Sequence, residues 1–346
     1  MNSFTGNEKN IIWINTGRAL CMICVYIAHC NVYYLNHISP LYFLYKPFYL
    51  AFFFFLSGFL FFKNLDNFPF KKKISSILNK LVWPVIFFPS LIWVPKMIAH
   101  GGSIGLEAYL TDIFGGVASW FISAIIVAQL ISLLLVYVFK KRLFAMLLIS
   151  CITMFSAFYL RSIDPTPFPW YYKSGMIAVF FLVLGGITRK YYDKLERIIS
   201  LPYLLASGVL YICLMLYNYY YLGYYQAIMS VDYDNIPLGL FNNLLGIFFM
   251  IQLCHYIPEI KWLQYIGKNS IVFYFFGGGV PLVMGYLVRT YIPFQGYLMT
   301  ILVTILCLFI VFPINYIIKR YFAWTLDFSK ITHLFKRLNK KGYLPL

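Results

Sequence analysis

Acidic residues are scarce in this chain: 11 aspartates and glutamates in 346 residues, with charged residues of both signs making up only 11%. A soluble domain averages about 25% charged residues, so a water-facing globular surface is excluded. The seven cysteines, at 21, 24, 30, 151, 213, 254 and 307, lie within or at the ends of apolar runs and never in paired loop spacings. That excludes a disulfide framework. Cys21 and Cys24 form a C-x-x-C one helical turn apart, but no second pair completes a zinc site, and no metal is expected. An internal repeat, a low-complexity linker and a second domain are also lacking. The chain reads as one domain over residues 1–320 and a basic tail over 321–346.

What is present is hydrophobic mass, 62% of the residues. With roughly 20 apolar residues needed per bilayer crossing, the expected fold class is all-α: a polytopic integral membrane protein with about ten transmembrane helices. The apolar segments run at about 19–36, 46–62, 81–98, 119–139, 143–160, 174–188, 198–222, 237–256, 270–288 and 296–318. The first lacks a small-residue cleavage site and the pattern continues behind it, so it reads as a permanent helix. The longest stretches outside the spans are the tail and the loop around 66–80.

The formal charge of +17 invites a nucleic-acid reading, which its distribution removes. With the N-terminus in the cytoplasm and the spans alternating, 23 of the 28 lysines and arginines fall on the cytoplasmic side. Lys46, Lys96, Arg161, Lys173 and Arg289 remain for the outer side, whose loops hold Glu107, Asp112, Asp164, Asp232 and Asp234. Both termini are therefore expected in the cytoplasm, and the charge reads as a topology device. No basic stripe stands free of the membrane. The tail over 330–341 has the composition of an interfacial helix on anionic lipid.

Ionisable groups at membrane depth are costly, and each is a functional candidate by default. Arg18, at the cytoplasmic start of the first span, and His29, well inside it, lie eleven residues apart. At about 100° per residue that is three turns plus roughly 20°, so both point the same way, some 16 Å apart along the axis. A neutral imidazole there can take a proton from a hydroxyl, and Arg18 can hold a phosphate or carboxylate at the entrance. The alternative is an interfacial anchor and a histidine bonded to a neighbouring helix.

Other features admit two readings each. Ser57 and Gly58, small residues in a bulky second helix, suit close helix approach as readily as a substrate. Lys71, Lys72, Lys73 and Lys80 can grip the phosphates of a polyanionic donor, or lie there from sidedness alone. Trp120-Phe121 opens the fourth span where an aromatic belt is expected anyway. Residues 266–270 look like a loop ending in a helix cap, with Asn269 or Ser270 satisfying the first free amides. Gly277, Gly278, Gly279 and Pro281 interrupt the ninth helix, marking either a cavity or a plain kink. His37, His100, His255 and His333 are assigned no chemistry.

Taken in order, several pieces carry a resemblance. They are Trp13-Ile14-Asn15-x-x-Arg18 with His29, Phe54-Phe55-Leu56-Ser57-Gly58-Phe59-Leu60-Phe61-Phe62, Lys80-Leu81-Val82-Trp83-Pro84, Trp120-Phe121 and Gly267-Lys268-Asn269-Ser270-x-x-x-Tyr274. Over nearly its whole length the chain resembles the acyltransferase-3 family of integral membrane acyltransferases, which includes bacterial surface-polysaccharide O-acetyltransferases. The resemblance implies transfer of an acyl group, usually acetyl from acetyl-CoA, to a hydroxyl of a cell-surface glycan or lipid-linked sugar, in the bacterial inner membrane. Acetyl-CoA would be a donor substrate and no cofactor would be bound permanently. By the same carry-over His29 is the catalytic histidine, Arg18 supports it or contacts the donor, and Lys71, Lys72, Lys73 and Lys80 lie where the donor's phosphates dock. Asn15, Ser57, Trp120, Ser270 and Tyr274 would face substrate or cavity.

The chain departs from the family pattern in three places. Asn15 stands where an aspartate is frequent, Ile77 and Lys80 where an R-x-x-R pair is frequent, and Gly277 where a late histidine is frequent. Lysine lacks the bidentate fork of arginine, so donor contacts must be arranged differently. The competing class is a non-enzymatic carrier or flippase of lipid-linked glycan; a minor third is a structural or regulatory descendant of the enzyme. The outer loops at 161–173 and 224–237 would choose the acceptor, but carry no readable code.

Overall fold

Why the apolar segments become helices follows from the solvent: in hydrocarbon every backbone amide must be satisfied within its own segment. The computed structural model describes residues 6–35, 42–100, 102, 104–140, 142–166, 169–292 and 296–331, without the side chains of 6–11, 96, 99 and 100. Within them ten helices are long and apolar enough to cross a membrane: Ile12–Leu35, Tyr42–Phe61, Phe70–Pro95, Leu106–Phe139, Leu143–Ile163, Tyr172–Lys190, Leu201–Leu222, Ile236–Tyr256, Ser270–Tyr291 and Tyr297–Tyr321. They are numbered here as the first to tenth spans. The only strands among the described residues, Gln226–Ala227 and Asp232–Tyr233, form a two-stranded antiparallel hairpin. The chain is thus an all-α multi-pass membrane protein. The interfacial helix expected over 330–341, together with His37 and His333 and the side chain of His100, lies outside the described residues apart from 330–331.

Local signals set several boundaries. Asn235 caps the eighth span, its side chain accepting the Leu238 amide at 2.9 Å, with a proline in the first helical turn. In the fourth span a short helix, Leu106–Ile113, turns through Gly116 at φ +74 before the long helix begins at Trp120. A Cβ on Gly116 would stand 2.8 Å from the Ser123 hydroxyl and 3.2 Å from the Trp170 backbone, so both the angle and the space require glycine.

Three expectations need correcting. The third span starts at Phe70, not near 81: helix Phe70–Ile77 continues through a π-helical turn, Leu78–Val82, into the next helix. Lys71 and Lys72 stay exposed on one face while Ile77 is buried, which an unbroken amphipathic helix accommodates. Residues 266–268 belong to helix Lys261–Lys268, not to a loop. Asn269 ends that helix by donating its side-chain amide to the Tyr265 carbonyl at 2.7 Å, and Ser270 turns to Arg18 instead of capping. The ninth helix runs unbroken through Gly277, Gly278, Gly279 and Pro281. Its glycines are tolerated because Gly277 packs against Tyr26 of the first span while Gly278 and Gly279 face open space.

The core is built along the sixth span, which packs against the second, fourth and fifth, while the second also packs against the first. A Cβ on Gly58 would collide with the Leu182 backbone, and one on Gly185 with the Phe55 carbonyl, so these glycines let the second and sixth spans approach backbone to backbone. Around this seam Phe52, Phe54, Phe55, Phe59 and Phe181 are fully buried.

Candidate active site

The first span owes its placement to a buried polar lock at its basic end. Asn15 donates to the Gln264 side-chain oxygen at 3.0 Å, and the Gln264 amide donates to the Ile12 carbonyl and the Thr16 hydroxyl, each at 3.0 Å. A Cβ on Gly267 would collide with the Asn15 carbonyl, so glycine is what lets helix Lys261–Lys268 lie against the first span. One turn beyond, Arg18 donates to the Ser270 hydroxyl at 2.6 Å, its guanidinium 5.7 Å from the Phe53 ring centre. Asn15 is buried and lines none of the cavities below.

Three cavities follow one another along the bundle. The first, about 390 Å³, opens among Lys63, Lys72, Lys73, Lys80 and Asp327 at the basic end. It shares Leu60, Lys73, Ser76 and Lys80 with a second cavity of about 240 Å³, which Arg18, Ser57 and Ser270 also line. Phe53, Phe121 and Tyr274 form the wall between the second and a third cavity, of about 390 Å³, which contains His29. Their rings are in mutual contact, Phe53–Phe121 at 5.2 Å and Phe121–Tyr274 at 5.7 Å between centres. The outer cavities fall within the 300–1,000 Å³ usual for small-molecule sites.

The residues singled out from sequence therefore divide. Arg18, Ser57, Lys73, Lys80, Ser270 and Tyr274 line the middle cavity, Lys72 the basic one, and His29, Trp120 and Tyr274 the far one. Asn15 and Lys71 line none. Of the two small residues in the second helix, Gly58 serves packing and Ser57 faces the cavity, its hydroxyl donating to the Phe53 carbonyl at 2.9 Å. Lys80 lies 3.6 Å from Asp327, whose segment folds back on the third span where Trp83 donates its indole N–H to the Trp324 carbonyl at 3.1 Å. His29 stacks on Tyr33 with ring centres 5.8 Å apart, and the π-helical turn Asn31–Leu35 begins two residues later. Such turns recur at functional positions.

Sequence reasoning named the 224–237 loop but not its place as the roof of the His29 cavity. Residues 225–230 line it, in a strap that ends on the hairpin. Arg161 donates to the Ser230 carbonyl at 2.8 Å and Ser174 to the Met229 carbonyl at 2.7 Å, so the strap is held to the facing ends of the fifth and sixth spans. Asp164 holds the neighbouring loop: it accepts the Thr166 amide and hydroxyl and the Lys173 ammonium, each at 2.9 Å. The backbone amide of Thr166 and then Lys173 keep this carboxyl below its ordinary range, at about 2. Val231, β-branched, sits at φ +55 in the hairpin turn, a strained conformation that the surrounding contacts must hold.

The three cavities thus run from a cationic mouth past Arg18 and, beyond the aromatic wall, to His29 inside the helical bundle. The profile of the acyltransferase-3 family, described as an acyltransferase domain, matches residues 11–320. The chain belongs to the acyltransferase-3 family. As a member of that family it is a membrane acyltransferase. No curated protein and no solved structure matches it. The acyltransferase-3 pieces read from sequence take distinct physical roles: the Gly267 stretch seats the first span, Ser270 receives Arg18, and Tyr274 with Phe121 separates the middle cavity from the one that holds His29. Where the family often has its late histidine, Gly277 faces Tyr26 and Val25 of the first span and lines none of these three cavities.

Proposed function

We propose that this acyltransferase moves an acetyl, or similar acyl, group from acyl-CoA to a hydroxyl of a cell-surface glycan or lipid-linked sugar. The observation that carries the reading is the order of the three cavities, with Lys72, Lys73 and Lys80 at the mouth, Arg18 in the middle and His29 beyond an aromatic wall. Positive side chains at the mouth suit the donor's phosphates. With the basic end in the cytoplasm, where its lysine and arginine excess would keep it, the donor's slim acyl arm enters from the cytoplasm and the acceptor meets it at His29.

In this reading the acceptor oxygen attacks the thioester carbonyl carbon while His29 takes the hydroxyl proton. The new C–O bond forms, the C–S bond breaks, and the departing CoA thiolate recovers the proton from His29. Arg18, fixed by Ser270, holds the donor on its way to the wall formed by Phe53, Phe121 and Tyr274. Residues 1–320 would form the acyltransferase domain and 321–346 the basic cytoplasmic tail, of which 323–330 dock on the third span. The host membrane would be the bacterial inner membrane.

The test uses membrane vesicles and acetyl-CoA labelled in the acetyl group. General-base catalysis contributes about 10²–10⁴-fold, so a correctly inserted His29→Ala protein should lose transfer to glycan by that factor. Undiminished transfer by that variant would sink the mechanism. Glycan crossing the membrane with no acetyl-CoA consumed would favour a carrier.

A further inference from the structure

Lys46 belongs to the second span, one turn from its outer end, and lines the same cavity as His29. Its ammonium lies 3.5 Å from the centre of the Tyr225 ring and 5.1 Å from that of Tyr42. Among the described residues no carboxylate comes within ion-pair distance of it. Asp232 and Asp234 of the hairpin attract it only at longer range, and Asp234 is already engaged by the Tyr225 amide at 2.6 Å. Nothing in packing demands a cation here. Topology disfavours one, and an ionisable group in a span is a functional candidate by default.

A lysine on a ring face keeps its N–H groups available, because the ring attracts the charge without accepting a conventional hydrogen bond. The cavity therefore offers three things together: a base at His29, an aromatic side chain at Trp120 on which a sugar ring can lie, and an ammonium with donors to spare. We propose that Lys46 selects acceptors bearing an anionic group, a carboxylate or phosphate, on or beside the sugar presented to His29. This rests on reading the His29 cavity as the acceptor site. The aromatic cage holds the ammonium in place before the acceptor arrives, and Tyr225 couples it to the strap that roofs the cavity.

The experiment measures binding without donor, so that it stands apart from the acetyl-transfer test. The purified protein in lipid nanodiscs is titrated with trigalacturonate and with its carboxyl-reduced analogue, then with a farnesyl-diphosphate-linked hexose and the same hexose on farnesol. One charge-assisted hydrogen bond corresponds to about 10- to 100-fold in affinity, so at least one acidic probe should bind that much more tightly than its neutral partner. Which pair discriminates tells whether the anion belongs to the glycan or to its lipid carrier. Lys46→Gln should erase the preference, Lys46→Arg should keep it, and added salt should weaken it in the wild-type protein. The proposal is overturned if the wild type treats acidic and neutral probes alike, if its preference ignores salt, if Lys46→Gln retains the preference, or if Lys46→Gln weakens both probes equally. Should Lys46→Gln fail to fold, the wild-type comparison, its salt dependence and Lys46→Arg still decide. If acidic probes are preferred while acetyl transfer proves independent of His29, the function proposed above fails and the anion site stands.

Discussion

Replacing glycine by alanine at two places in the bundle separates packing from flexibility. In a helix the change gains about 1 kcal/mol from propensity wherever it is made. At Gly279, exposed on the ninth span with nothing within 4 Å of a new Cβ, no other contribution opposes that gain. At Gly58 the new Cβ would overlap the Leu182 backbone, which cannot rotate aside as a side chain can, and the reciprocal contact of Gly185 with Phe55 leaves the second and sixth spans no slack. Overpacking costs roughly 1–3 kcal/mol; with a backbone as the obstacle the upper end applies, for a net loss of about 2 kcal/mol after the propensity gain. The two variants should therefore differ by about 3 kcal/mol, Gly279→Ala unchanged or slightly more stable and Gly58→Ala clearly less. The assay is the detergent-solubilised protein heated in steps, with the monodisperse fraction read by fluorescence-detected chromatography, alongside acetyl transfer in vesicles. Loss of stability or activity in Gly279→Ala as large as in Gly58→Ala would refute the reasoning. It would show that the glycine run works as a break in the helix, as its sequence implies.

Arg18→Lys should cut acetyl transfer about 10- to 100-fold, mainly through a higher KM for acetyl-CoA, because the guanidinium's hydrogen bond to Ser270 is lost with the fork geometry. Ser270→Ala should act in the same direction but more weakly, and a larger effect from Ser270→Ala than from Arg18→Lys would count against the assigned roles. Asp327→Asn should lower the KM for acetyl-CoA, since it releases Lys80 at the cavity mouth. With its Lys80 end in solvent and 3.6 Å between the charges, the pair is worth at most about 1 kcal/mol, so the change should not exceed about fivefold, and a raised KM would contradict it. Asp164, held ionised down to about pH 2 by Thr166 and Lys173, supports the fold above the ordinary carboxylate range near 3.9. That support should vanish as pH falls from about 4 to 2. The difference in melting temperature between the wild type and Asp164→Asn should close over that interval, and a gap unchanged at pH 2 would disprove the assignment.

Much of the site was legible because helical periodicity is a strong signal in an apolar sequence. Arg18, Cys21, Met22, Val25, Ala28, His29 and Val32 recur at three- and four-residue steps, and in the structure they form one stripe facing the cavities. The same step pattern runs along the second span through Lys46, Tyr49, Leu50, Phe53, Ser57, Leu60 and Phe61, all cavity-lining. Applied to that span, the pattern points to Lys46, which charge counting by loop leaves as an exception on the outer side. Asn15 shows the opposite failure. Its place in a motif implied substrate, whereas its partner is Gln264, 249 residues away, a pairing that no local pattern encodes. The 225–234 strap was illegible for the same reason: its position depends on Arg161 and Ser174 holding the Ser230 and Met229 carbonyls, and backbone acceptors leave no trace in side-chain identity.

Periodicity also fixes direction without fixing continuity. The eleven-residue spacing places Arg18 and His29 on one face, and both do open onto cavities on the same side of the first span. What lies between them comes from three other helices: Phe53 of the second, Phe121 of the fourth and Tyr274 of the ninth. A group passing from Arg18 to His29 must displace at least one of these rings. Tyr274, which belongs to both cavities and is reached through the helix that Ser270 begins, links Arg18 to the wall within a single turn. Occupation of Arg18 by donor would thus act at the base of the helix that carries the barrier. Tyr274→Ala should therefore open the wall whether or not donor is present. In the proposed reaction that variant should hydrolyse acetyl-CoA in the absence of acceptor faster than the wild type does, as released free acetate would show. Acceptor-free hydrolysis no faster than in the wild type would mean that the three rings do not form the barrier.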